Sequence, residues 1–198
     1  MAKRGLLLVF LLLPTASAAA QTVLFDGIVH EDRQRALLLI PTAVTKDDYA
    51  FAGRLEYGWA DRANLFGLVG GIFNGGSKAL VGGGWAATLF RQSDEFPLNI
   101  GFFNSYVFPL PADRGPDAFI SVAPVFSHSW THKGGSRVTP YAGATATFAV
   151  GGAPRGIPTD VNGLLGVKWT EITERWDFIA EVQPGERTQF SFGLFYRF

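Results

Sequence analysis

The carboxyl-terminal segment constrains this chain more than any other. From Gln189 it reads QFSFGLFYRF. Phe190, Phe192, Leu194, Tyr196 and Phe198 fall on one face of an extended strand. Gln189, Ser191, Gly193, Phe195 and Arg197 fall on the other. Successive strand side chains point to opposite faces, so this is strict period-2 patterning. A half-buried strand of a soluble sheet also alternates. It seldom places five large apolar groups in a row on one face up to its free end.

The same alternation recurs upstream. In 49–59, Tyr49, Phe51, Leu55, Tyr57 and Trp59 oppose Ala50, Ala52, Arg54, Glu56 and Gly58. In 98–108, Leu98, Ile100, Phe102, Tyr106 and Phe108 oppose Asn99, Gly101, Phe103, Ser105 and Val107. Segments 161–169 and 176–182 repeat the theme, with Lys168 on the small or polar face of the first and Asp177 and Glu181 on that of the second. Stretches near 63–73, 78–90, 117–130 and 137–150 alternate less cleanly and are rich in glycine and alanine, and a weaker first strand falls near 36–44. The pattern predicts an all-β chain of about ten antiparallel strands, with eight as the alternative.

The amino terminus carries a different pattern. Lys3 and Arg4 precede the apolar run Leu6–Leu13, and Pro14 and Ala16–Ala20 follow with small residues. This is the three-part layout of a secretory signal peptide, so 1–20 is expected to be removed and 21–35 to form an N-terminal periplasmic segment. No later apolar run approaches the roughly 20 residues a membrane helix needs. If the exported chain crosses a membrane, it must do so as a closed barrel, because lipid offers no partner to an open strand edge. Composition agrees: charged residues are 17% of the chain, aromatics 14%, and there are 24 glycines. The expected domain is a single up-and-down transmembrane β-barrel over 36–198.

Short connections are expected at Ala60–Arg62, around Ser93–Glu95, at Lys133–Gly135 and around Thr173–Glu174. Longer ones fall at 74–78, 111–117 and 151–160. Such barrels put short turns in the periplasm, which would place Phe198 there too. Trp59, Trp130, Trp169 and Trp176 lie beside the short turns, and Trp85 does not. With Tyr57 these four form the interfacial aromatic girdle expected at one membrane surface.

The terminal strand resembles the carboxyl-terminal signal of bacterial outer-membrane barrels. Thr139–Gly143 (TPYAG) and Arg54–Leu68 resemble segments of small OmpA- and OmpW-like members of that superfamily. The resemblance implies an outer-membrane location. It also implies that Phe190, Phe192, Leu194, Tyr196 and Phe198 are read by the barrel-insertion machinery, with periplasmic chaperones as partners during biogenesis and outer-membrane lipid afterwards.

Chemistry is sparse. Lysine plus arginine equals aspartate plus glutamate at 17 each, which argues against a nucleic-acid binder. There is no cysteine, hence no thiolate ligand or nucleophile. His128 and His132 are four apart and would share a strand face, but no further ligand completes a zinc site. Ser127-His128-Ser129 lacks an identifiable oriented base and oxyanion hole. No catalytic residue, metal or cofactor is therefore expected. The inward face carries Arg54, Glu56, Lys168, Asp177, Glu181 and Arg197, and a simple hairpin register sets Lys168 opposite Asp177. Inward glycines at 82, 84, 101, 143, 166 and 193 leave room in the lumen.

The expectation is a monomeric structural component or narrow passive pore with a polar, charge-paired lumen. A surface-binding outer-membrane protein, an outer-membrane lipid-modifying enzyme and a soluble lipocalin-like periplasmic barrel are the alternatives. The last would turn Phe190, Phe192 and Tyr196 inward.

Overall fold

The computed structural model describes residues 35–44, 48–73, 77–110, 117–151, 160–172, 175–185 and 188–198. The expected signal peptide (1–20), the segment 21–34 and His30 within it lie outside the described residues.

Alternation becomes strand throughout. The strands are β1 (Arg35–Val44), β2 (Asp48–Ala60), β3 (Ala63–Phe73), β4 (Ser77–Phe90) and β5 (Asn99–Leu110), followed by β6 (Ala118–Ser127) and the two-residue β7 (Trp130–Thr131). β8 (Arg137–Val150), β9 (Asp160–Thr170), β10 (Trp176–Gln183) and β11 (Gln189–Arg197) complete the set. Each pairs antiparallel with its neighbours, β1 pairs with β11, and β6 pairs with β8. The sheet therefore closes on itself. β7 continues β6 after a break at His128–Ser129, so the wall has ten strands. The weak first segment is a full strand: β1 is hydrogen-bonded to β2 on one side and β11 on the other.

Burial follows the period-2 pattern around the barrel. Ala36, Leu38, Ile40 and Thr42 of β1 are buried inside, while Leu37 and Leu39 are exposed outside. On β11, Gln189, Ser191 and Phe195 are inside, and Phe190, Phe192 and Leu194 outside. The exposed surface thus carries the large aliphatic and aromatic groups. Asn104 is a polar exception on the outward face of β5. It is buried, lies opposite Trp85 in register, and donates through Nδ2 to the Ser121 carbonyl at 3.4 Å.

Two glycines show how the narrow wall is built. At Gly84 an added Cβ would lie 2.0 Å from the Asn104 carbonyl oxygen and 2.6 Å from Cζ of Phe66. At Gly166 it would lie 2.2 Å from Cζ of Tyr141. Each glycine sits opposite the aromatic residue in register, and the ring lies across it. The inward glycines were expected to leave room, but at these positions neighbouring rings occupy that space.

Loop lengths do not separate the two ends as expected. The connection 91–98, at the end that carries Phe198, is longer than 45–47 and 74–76 at the opposite end. The long connection is built into the wall. Gln92 donates through Nε2 to the Ser129 carbonyl at 3.2 Å, and its Oε1 accepts from the Ser129 N–H at 2.8 Å. β5 begins at Asn99, opposite Ser127, so it has no residue to pair with Ser129. The Gln92 amide takes that place.

Gly84→Ala is expected to lower unfolding stability by about 1–3 kcal/mol, the cost of overpacking. Gly67→Ala, where an added Cβ meets nothing within 4 Å, should change it by less than about 0.5 kcal/mol. Urea titration of the folded barrel followed by tryptophan fluorescence measures both.

Candidate functional site in the lumen

All six charged residues expected on the inner face are found there. Arg54 is 0% exposed, Lys168 1% and Asp177 1%; Glu56 and Glu181 are also buried. Arg197, at the end of β11, is partly open, with 20% of its side chain exposed. Strand parity puts each charge inside, and what each meets there is set by register.

Arg54 and Glu56 are two apart on β2, so both point inward, and they form an ion pair. The Arg54 guanidinium also lies over the Phe66 ring at 5.1 Å and the Phe103 ring at 5.5 Å. Those rings stack on each other at 4.9 Å between centroids. They come from β3 and β5, and they meet because Gly84 on the intervening β4 has no side chain. An aromatic pair adds about 0.5–1.5 kcal/mol beyond the area it buries, and a desolvated cation over a ring about 2 kcal/mol.

The opposite wall carries a second cluster. Lys168 Nζ lies 4.4 Å from the centre of the Phe195 ring. Asp177 accepts from the Glu171 N–H at 2.8 Å and pairs with Arg197 at 3.3 Å. Tyr141 donates its hydroxyl to Glu181 at 2.8 Å, reaching across Gly166, and Gln183 donates to the other oxygen of Glu181 at 2.7 Å. The simple hairpin register is not the one adopted. Lys168 stands opposite Ile179, and Asp177 stands opposite Phe195 on β11. Glu171, which follows β9, adopts a left-handed φ of 60°.

The structure adds Phe66, Phe103, Phe195 and Tyr141 to the site. Their sequence signal was an aromatic residue on the otherwise small or polar face. It marked Phe103 and Phe195 as inward, and could not say that they would meet a cation. A buried charge is tolerated only when it is paired and hydrogen-bonded, and these clusters combine both kinds of support. Arg54 and Lys168 are both closed off from solvent.

The histidine region is arranged for packing. His128 directs Nδ1 to the Pro97 carbonyl, and its ring lies 4.5 Å from Trp130. Ser129, next along the chain, bonds Oγ to Oγ1 of Thr139 at 2.9 Å on the inner side. Among the described residues no group of three histidine, cysteine or acidic side chains is placed to hold a metal ion.

The aromatic residues predicted for the girdle lie at the Phe198 end. Tyr57 and Trp59 are near the end of β2, Trp130 is in β7, Trp169 near the end of β9, and Trp176 at the start of β10. All five are exposed. Trp176 packs on Tyr196 at 4.9 Å, and Arg35 lies over Tyr57 at 5.9 Å.

No protein-family model and no curated protein matches the chain. Among solved structures, a barrel described as "De novo design of transmembrane beta-barrels" aligns with a TM-score of 0.44 and 10% identity, covering 86% of this chain and 100% of its own.

Arg54→Ala is expected to cost about 3–5 kcal/mol of stability, because Glu56 is left charged and buried without its partner. Replacing both, Arg54→Met with Glu56→Gln, should restore most of that loss. Equilibrium unfolding of the two variants beside the parent protein checks it.

Proposed function

We propose that this chain is an outer-membrane β-barrel whose lumen is filled by its own side chains, serving as a structural membrane component and not as a conduit. The observation that carries this reading is the pairing of an apolar exposed surface with a sealed interior. Phe51, Leu55, Val69, Phe108, Leu165, Phe190 and Phe192 are exposed around the wall, far more apolar surface than a soluble monomer usually presents. A lipocalin-like barrel needs the reverse, with its apolar face around an internal cavity. Inside, Arg54, Phe103, Lys168 and Phe195 are fully buried. A small barrel can be filled in this way, whereas wider ones leave a channel.

The girdle supports the orientation. Exposed tryptophans at the Phe198 end fit a headgroup boundary, where an indole gains from both phases. On this reading the Phe198 end faces the periplasm, the terminal strand is what the insertion machinery engages, and the barrel works as a monomer in lipid. No catalytic role is proposed. His128 is committed to Pro97 and Trp130, away from Ser129.

Two measurements test the proposal. The expressed protein should fractionate with outer membranes and migrate differently on a gel before and after boiling; recovery in the soluble periplasm would overturn the membrane reading. In planar bilayers the parent barrel should give no steady single-channel conductance. A variant carrying Arg54→Ala, Phe66→Ala and Phe103→Ala should conduct. Steady channels from the parent would instead establish a pore.

A further inference from the structure

Prolines interrupt the wall at defined places. A proline has no N–H, so within a sheet it removes a ladder bond and is normally confined to edges. This barrel has no edge, yet Pro41, Pro124 and Pro140 stand inside its strands, and Pro109 stands one residue from the end of β5. The ladder between β1 and β11 skips Ile40 and Pro41. The ladder between β6 and β8 skips Ala123 and Pro124, running from Val122–Ala146 directly to Val125–Gly143. It skips again at His128–Ser129, opposite Thr139 and Pro140, before Trp130 pairs with Val138.

The gaps have one cause. In an antiparallel ladder, one N–H serves its own pair and the non-bonded pair beside it. Losing the N–H of residue 124 therefore removes the pairs at 124 and 123 together. It leaves the Ala144 carbonyl with no opposing N–H on β6. Pro140 does the same to the His128 carbonyl. On the other side of β8 the ladder to β9 is unbroken from Arg137 to Thr147. The defect thus belongs to one seam, and β6–β8 carries two gaps where β1–β11 carries one.

Hydroxyl pairs accompany the gaps. Thr42 bonds Ser191 at 3.0 Å across β1–β11. Ser121 bonds Thr147 at 2.9 Å and Ser129 bonds Thr139 at 2.9 Å, both across β6–β8. These side chains hold the inner side of a seam whose backbone bonds are incomplete. On the outer side, β8 presents the small Ala142, Ala144 and Ala146, while β6 presents Val122, Pro124 and the exposed Phe126.

We propose that β6–β8 is a lateral opening in the barrel wall: the two strands part at Pro124 and Pro140 while the other seams stay closed. Parting there brings the inward Ser121, Ala123, Thr145 and Thr147 into contact with the medium around the barrel. In a membrane that medium is lipid acyl chain, and the small outer residues of β8 leave space for one. The strand separation does not depend on the membrane reading, whereas the identity of what enters does.

Amide hydrogen exchange of the folded full-length barrel in detergent micelles, resolved by residue, tests it with a control built into β8. The N–H groups of Ala142, Ala144 and Ala146 face β6, and those of Tyr141, Gly143 and Thr145 face β9. The first set should exchange faster than the second by about tenfold, the factor that one hydrogen bond carries. Pro124→Val restores an N–H and should slow the first set by a similar factor without changing the second. If that variant does not fold, Ser121→Ala removes a hydroxyl tie and should speed the first set alone. Equal exchange on the two sides of β8, or a first set unmoved by these substitutions, would overturn the proposal.

Discussion

Closure of the backbone ladder is the constraint on which the rest of this structure depends. Once β1 is bonded to β11, strand edges are eliminated and every strand must present one face inward and one outward. The inward face is narrow, so it takes alanine, glycine, serine and threonine with a few large groups. The outward face carries leucine, phenylalanine, tyrosine and tryptophan. A barrel closed around this pattern is apolar outside, and in lipid such a wall is stable because each backbone polar group is satisfied within the sheet. The proline gaps are departures from that rule. Their grouping in two seams, each with hydroxyl ties, marks them as features of the wall.

Filling follows from closure. Ten strands enclose more width than small side chains can occupy, and this chain fills it with two clusters. Arg54 lies over Phe66 and Phe103, and Lys168 lies over Phe195. Glycines at 84 and 166 let Phe66 and Tyr141 cross a neighbouring strand to reach their partners. The carboxylates of Glu56, Asp177 and Glu181 are each held by named donors or cations. Removing Arg54 would leave the buried Glu56 carboxylate without that partner. On the proposed reading, the charged lumen is a packing arrangement.

Strand positions were legible because period-2 alternation is a local property. The segments expected at 63–73 and 137–150 match β3 and β8 end for end, and the weak segment near 36–44 is β1. Inward placement of all six charges was legible for the same reason. Contacts between them were not. Lys168 stands opposite Ile179, and nothing in the alternation of 161–182 encodes that register. Nor does alternation reveal that Gly84 is a passage for Phe66, since a glycine on the inner face reads equally as empty space. The break at His128–Ser129 depends on Pro140 in the adjacent strand, and Gln92, far away in sequence, fills the missing position on the other side. Such features arise from register between strands.

On the proposed membrane reading, the outward aromatic face lies in hydrocarbon, with its girdle at one surface. Trp85, five residues from the end of β4 and exposed outside, should sit about 12 Å into a membrane-spanning wall. Trp169, one residue from the end of β9, should sit at its boundary. The most direct measurement is fluorescence quenching of single-tryptophan variants, one retaining Trp85 and one Trp169, in vesicles of lipids brominated at different acyl-chain depths. Trp85 should be quenched most by bromine deep in the chain and Trp169 by bromine near the headgroup. Quenching of both by aqueous iodide, with no dependence on bromine depth, would contradict the membrane reading.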